Sequence, residues 1–208
     1  HARLFERGAH GGGRGIALDQ RHGLGARLGR AQRKDHLGSL ARLDHALAIV
    51  ADQYGLRKFK GTHGIGHTRM ATESDVDIRS AHPYWAYPFA DVSVVHNGQL
   101  TNYWKGRREL EHRGHRFMSN CDSELIAVYL ADKMQQGAKL EDAMRESIDQ
   151  LDGVFTYVVA TSDSLGMAKD TMAAKPMVLY GSDKMVCLAS EEMAIRAVLP
   201  QEIDTWDP

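Results

Sequence analysis

Residues 91–102 read DVSVVHNGQLTN, and the role of the Asn97-Gly98 pair inside them decides how the chain is understood. Val92, Val94 and Val95 are β-branched, so the approach to the pair reads as a short strand. Asn-Gly is a common turn pair because both residues tolerate positive φ. At the end of a strand the same pair can instead present two donors, the Asn97 side-chain amide and the Gly98 N–H, to one developing oxyanion. The residues alone leave both readings open.

Working outward, TNYWKGRRELEHRG reads as a helix closed by Gly114, and SELIAVYLADKMQQG as a stronger amphipathic helix. In the second, Leu125, Ile126, Tyr129, Leu130 and Met134 recur at i, i+3, i+4 spacing. LEDAMRESIDQLDG is a further helix stopped at Gly153. VFTYVVAT is a strand, and KPMVLYG with KMVCLAS forms a hairpin around Gly181, Ser182 and Asp183. Ser190 is an N-cap candidate, with Glu191 and Glu192 in the first turn behind it. LDHALAIVADQYG has helical spacing and ends on Gly55, a helix stop. Helices grouped between pairs of strands give an α+β layered domain with antiparallel strands.

The chain has 208 residues, 43% hydrophobic and 25% charged, an ordinary globular composition long enough to bury a sizeable core. A net charge of −1 marks neither nucleic acid nor an anionic membrane as a partner. No apolar run approaches the roughly 20 residues that span a bilayer. Two cysteines, Cys121 and Cys187, make no disulfide framework and fit a reducing cytoplasm. The chain begins with His1 and reads as a fragment. Residues 1–42 are Arg/Gly-rich, with Phe5 the only aromatic and Ile16 the only β-branched aliphatic. Such a segment has little apolar surface to offset its ordering entropy, so a poorly ordered or degraded segment is expected there. Residues 43–208 form the expected domain.

GTHGIGHTRMATES, residues 61–74, admits three chemistries. His63 and His67 are four apart, but Gly61, Gly64 and Gly66 argue against the helix that would align them for a metal, and no metal is assigned. The glycines lack the lysine and spacing of a phosphate loop. The third reading is a pocket for a small zwitterion: Arg69 has the planar fork that grips a carboxylate, and neighbouring glycines allow close backbone approach. Asp122, at the mouth of the helix that follows it, can hold an ammonium. Each has a bland counterpart in a surface ion pair, a turn or a cap, and spacing alone does not join them into one site. Asp163, Lys169, Asp170 and Lys175 are read as fold or surface residues.

GIGHTRMAT, VVHNGQLTN and CDSELIAVYLA, in this order, resemble the class II glutamine amidotransferase domain of the N-terminal-nucleophile type. AHPY, LDGVFTYVVAT, AKDTMAAKPMVL and LASEEMAI agree, over about residues 45–200. THGIGHTRMATES and LEHRGHRF are most similar to glutamate-synthase-type amidotransferase subunits. The resemblance implies a four-layer αββα sandwich, two antiparallel sheets between helical layers. It implies that Arg69 binds the α-carboxylate of L-glutamine, that Thr72 and His82 line the pocket, that Asn97 and Gly98 form the oxyanion hole, and that Asp122 receives the α-ammonium. Nothing in the chain resembles a flavin, iron–sulfur or nucleotide site, so no cofactor is assigned, and the ammonia acceptor is expected in another domain or subunit. The family's thiol belongs to an N-terminal cysteine, and by position neither Cys121 nor Cys187 replaces it. Two functions are therefore expected: a glutaminase part of a glutamate-synthase-like amidotransferase, or a non-catalytic glutamine-binding or regulatory module.

Overall fold

The computed structural model describes residues 2–6, 14–19, 51–68, 79–87, 89–199 and 201–208. The chain divides into two compact units, one of His1–Arg21 with Thr62–Pro208 and one of His22–Gly61. The boundary expected at residue 42 lies outside the described residues. In the smaller unit a 3-10 turn at Leu56–Lys58 follows Gly55, whose φ of 63° is the left-handed geometry that ends a helix.

The described residues of the larger unit form nine strands: β1 (Ala2–Glu6), β2 (Arg14–Asp19), β3 (His63–His67), β4 (Tyr84–Ala86), β5 (Phe89–Leu100), β6 (Gly153–Ala160), β7 (Ser164–Lys169), β8 (Val178–Gly181) and β9 (Met185–Ala189). Its helices are α1 (Tyr103–His112), α2 (Asp122–Gln135), α3 (Leu140–Gln150) and α4 (Glu192–Val198). One sheet has the order β1-β7-β6-β5-β4 and the other β3-β2-β9-β8.

Strand alternation sorts the apolar residues into layers. Val94, Phe155, Tyr157, Val159 and Ala168 face α2 and α3, packing with Leu125, Ile126, Leu130 and Met144. The opposite side of the same strands, Val95, Val158, Leu165 and Met167, meets Leu179 and Leu188 of the second sheet. Cys187 and Ala189 turn outward onto Ala194 and Ile195 of α4. Helices, sheet, sheet and helix stack in that order, the four-layer αββα sandwich.

The first sheet is antiparallel throughout. The second is mixed, a correction to the expectation of two antiparallel sheets: β2 runs parallel to both β3 and β9. Parallel neighbours need a long crossover, and the chain between Asp19 and His63 supplies one. Strands β1 and β2 both lie within the Arg/Gly-rich first 42 residues, where no strand is expected from composition.

Two helix stops are where the glycines put them, while α3, expected to stop at Gly153, ends at Gln150, and Gly153 opens β6. Gly114 and Gly137 follow α1 and α2 with φ of 93° and 97°. At α4 the N-cap is Glu191 rather than Ser190, and no side chain caps it. Of the positions read as fold or surface residues, Lys169 and Asp170 are fold positions, 1% and 4% exposed. Lys169 Nζ donates to Asp207 Oδ1 at 2.6 Å. Among the described residues no helix is long and apolar enough to cross a membrane.

Leu130 is wholly buried between the α2–α3 layer and the first sheet. Leu130→Ala is expected to destabilise the fold by about 2–5 kcal/mol, lowering the melting temperature by about 2–4 °C per kcal/mol in a calorimetric scan.

Candidate functional site

Asn97 and Gly98 lie inside β5 and form no turn; the strand runs on to Leu100. The Asn-Gly turn signal fails because the partner strand β6 continues the ladder past it, pairing Asn97 with Thr156, Gly98 with Phe155 and Leu100 with Gly153. Gly98 has φ of 150°, and a Cβ there would stand 2.1 Å from Val154 O and 2.7 Å from Phe155 Cα. Only glycine fits so close to a neighbouring backbone.

The direction of the Gly98 N–H follows from its neighbour. Phe155 donates its N–H to Asp170 Oδ2 at 2.9 Å and accepts the Asp170 N–H at 2.9 Å. Both backbone groups of Phe155 are thus turned toward β7. In an antiparallel ladder, Phe155 and Gly98 are then a non-hydrogen-bonded pair, and the Gly98 N–H points to the other edge of β5. Leu100, two residues on, has the same orientation, and its N–H donates to Asp122 Oδ2 at 2.8 Å. Strand β4 pairs with β5 only as far as Val94. Among the described residues, no strand covers the β5 edge at 97–100.

Asp122 is the first residue of α2, behind an N-cap at Cys121, so the sequence reading of it as a cap shifts by one position. The helix N-terminus favours its negative charge. Oδ2 is engaged by Leu100, while Oδ1 has only long contacts, 3.6 Å to Cys121 Sγ and 3.5 Å to Ser123 Oγ. A second polar contact docks α2 on β5: His96 Nδ1 and Ser123 Oγ are 2.8 Å apart, both residues buried. The sequence offered a signal for neither, because a single histidine in a strand does not announce which layer it faces.

His82 stands two residues before Tyr84, on the side of the β4–β5 pair that leads toward Asn97. Its ring centroid is 4.0 Å from that of His67 and 4.8 Å from that of Tyr84. His67 ends β3, so this stacking brings the GIGHT block beside the same edge. Arg69 and Thr72 lie outside the described residues. Of the two histidines weighed as a metal pair, His63 Nε2 is 2.8 Å from Thr161 O, and His67 stacks on His82. No cluster of three or more metal-ligating side chains occurs among the described residues.

The two cysteines are free and buried. Cys187 belongs to the apolar layer under α4, where burial pushes its thiol pKa up and keeps it protonated. Cys121 Sγ lies against Asp122 and Ser123 at 3.6 Å from each.

Gly98 and Asp122 thus share one edge of β5, and the stacked His82 and His67 lie toward the same end of the β4–β5 pair. A backbone donor directed there, an Asn beside it and a carboxylate one residue pair further along can hold the two ends of a small zwitterionic amide.

The model of the Glutamine amidotransferase domain family matches residues 67–197. The chain is 47% identical over 160 residues to a putative glutamine amidotransferase of Methanothermobacter thermautotrophicus, covering 76% of this chain and 52% of the relative. It is 40% identical over 161 residues to the glutamine amidotransferase-like protein GlxB of Rhizobium meliloti, with the same coverage of 76% and 52%. The chain thus spans about half the length of these relatives. Among solved structures, the glutamine phosphoribosylpyrophosphate amidotransferase of B. subtilis, complexed with ADP and GMP, aligns with a TM-score of 0.55 at 22% identity, over 66% of this chain and 29% of that one. At that identity the likeness is one of fold.

Gly98→Ala forces a side chain into the β6 backbone at a φ that L-residues avoid. It is expected to destabilise the protein by about 3 kcal/mol or more, against a few tenths for Gly64→Ala, which meets no atom within 4 Å. Chemical denaturation of the two variants checks the contrast.

Proposed function

Since the chain belongs to the glutamine amidotransferase domain family, we propose that it binds L-glutamine along the open edge of β5. In the complete protein this domain hydrolyses the side-chain amide to glutamate and ammonia for a glutamate-synthase-like acceptor domain or subunit. The observation that supports this most is the placement of the Gly98 N–H on the same edge of β5 as the Leu100 N–H, which donates to the Asp122 carboxylate.

Each residue then has a role that its surroundings support. Asp122 receives the α-ammonium: one carboxylate oxygen is anchored by Leu100, and the other is open to a charged donor. Arg69 grips the α-carboxylate, as in the family, and Thr72 and His82 line the pocket. Asn97 and Gly98 donate to the oxygen of the amide as it becomes an oxyanion.

The chemistry is acyl transfer from the amide to a thiol. The thiol sulfur adds to the amide carbon, the tetrahedral oxyanion collapses, the C–N bond breaks, and ammonia leaves with the transferred proton. Water then cleaves the thioester, releasing glutamate and restoring the thiol. By family analogy the nucleophile is a mature N-terminal cysteine of the complete protein, with its own α-amino group as base. The two free thiols support a reducing, cytoplasmic setting.

A second reading keeps the binding and drops the turnover: a glutamine-binding or regulatory module with no nucleophile. It is compatible with the two thiols of this chain, Cys187 under α4 and Cys121 against Asp122, neither of which is assigned as a nucleophile. Mass spectrometry of the mature N-terminus of the complete protein, paired with a glutaminase assay, separates the two. A processed N-terminal cysteine with glutamate release supports the enzyme; stoichiometric glutamine binding without release supports the module. Absence of glutamine binding contradicts both.

In the complete enzyme, Asn97→Ala is expected to reduce kcat for glutamine hydrolysis by about 10²–10³ while the glutamine Kd changes little. Steady-state kinetics with equilibrium binding checks the split, and an equal loss of affinity would remove Asn97 from the oxyanion hole.

A further inference from the structure

Glu124 is 1% exposed yet carries a carboxylate, and the acyl-transfer chemistry above makes no use of it. It is the third residue of α2. At that position a Glu ordinarily reaches back to the N–H of its own N-cap, forming a capping box. Here it reaches past the cap. Oε1 accepts the Met118 N–H at 2.6 Å, and Oε2 accepts the Ser119 N–H at 2.8 Å and the Ser119 hydroxyl at 2.6 Å. The Ser119 hydroxyl in turn accepts the Cys121 N–H at 3.2 Å. The N-cap Cys121 makes no side-chain capping bond of its own.

The turn at 118–121 is held from its other side as well. Arg107 of α1 donates to Ser119 O at 2.8 Å and to Asn120 Oδ1 at 3.1 Å, with its guanidinium 4.7 Å from the centre of the Phe117 ring. The next residue after this turn is Asp122. Where the Asp122 carboxylate stands relative to β5 therefore depends on how firmly Met118 and Ser119 are tied to Glu124.

We infer that Glu124 is a positioning residue that sets selectivity for the α-ammonium group by fixing the 118–121 turn under Asp122. The inference rests on the reading of Asp122 as the ammonium receptor. A loosened turn lets Asp122 swing away from the ammonium while leaving the carboxylate and amide ends of the pocket in place. The effect should be confined to ligands that carry an α-ammonium.

The test compares L-glutamine with 4-carbamoylbutanoate, the same molecule without its amino group, by isothermal titration calorimetry on this chain. Glu124→Gln keeps the size of the side chain but turns one acceptor into a donor facing an N–H. The wild-type chain is expected to favour glutamine by about tenfold or more, as for a charge-assisted hydrogen bond. In Glu124→Gln that preference should fall to within about threefold, with the Kd of 4-carbamoylbutanoate changed by less than about twofold. Ser119→Ala removes the hydroxyl shared by Glu124 and Cys121 and is the milder variant. It should shift the preference in the same direction, and it decides the matter if Glu124→Gln does not fold. A preference retained in the folded variants overturns the role of Glu124. Equal loss of both ligands overturns it too, because that is the mark of general damage. A wild-type chain that binds both ligands equally overturns the ammonium reading of Asp122 itself.

Discussion

The site depends on one set of hydrogen bonds that is not in it. Asp170 takes both backbone groups of Phe155 on the β7 side of β6, one with its carboxylate and one with its own N–H. Phe155 has nothing left to exchange with Gly98, so β5 and β6 approach closely there without a bond. Two consequences follow from that approach. No side chain fits at Gly98, and its N–H is released toward the opposite edge. A buried carboxylate two strands away thus turns a backbone donor toward the edge of β5 where an oxyanion donor is proposed. Asp170 also caps Met172 and Ala173 with its second oxygen, so the turn after β7 is tied to the same residue.

The other end of the pocket is organised by helix α2. Its start is docked on β5 by Asp122 to the Leu100 N–H and by Ser123 to His96. Those partners alternate along β5 with the residues that face the second sheet. A single strand therefore presents Asn97 to the inter-sheet layer, the Gly98 N–H to its edge, and His96 to the helix. The division of labour comes directly from the two-residue period of a strand combined with the in-plane direction of its N–H groups. Rigid elements carry every described member of the site except His82, which precedes β4 and is held by ring stacking.

Much of this was legible before any coordinates. The helices 103–112, 122–135 and 140–150 and the hairpin near Gly181 announce themselves through apolar spacing and left-handed glycines, both local signals. Strands β1, β2 and β3 do not. HGIGH has two glycines in five residues of strand, which lowers strand propensity, and β1 and β2 lie in an Arg/Gly-rich stretch; all three are decided by pairing with distant strands. At Asn97-Gly98 the local signal points to a turn, and only the ladder with β6 overrides it. Asp122 is legible as a residue at a helix mouth. Asp170, His96 and Glu124 were missed as contributors to the site, because a buried carboxylate or histidine has no periodic signature; its partners are fixed by register. The grouping of the site residues came from family resemblance, and the direction of the Gly98 N–H came from the hydrogen bonds of Phe155.

L-glutamine bound along this edge of β5 would reach both the Gly98 N–H and the Asp122 carboxylate that the Leu100 N–H anchors. A titration of ¹⁵N-labelled protein with L-glutamine, following those two amide resonances, tests it most directly. Both should move together and saturate with the same Kd, Leu100 because the ammonium perturbs its Asp122 partner and Gly98 because the amide oxygen reaches its donor. Saturable glutamine binding that leaves both amides in place would contradict the account, and would put the pocket elsewhere on the fold.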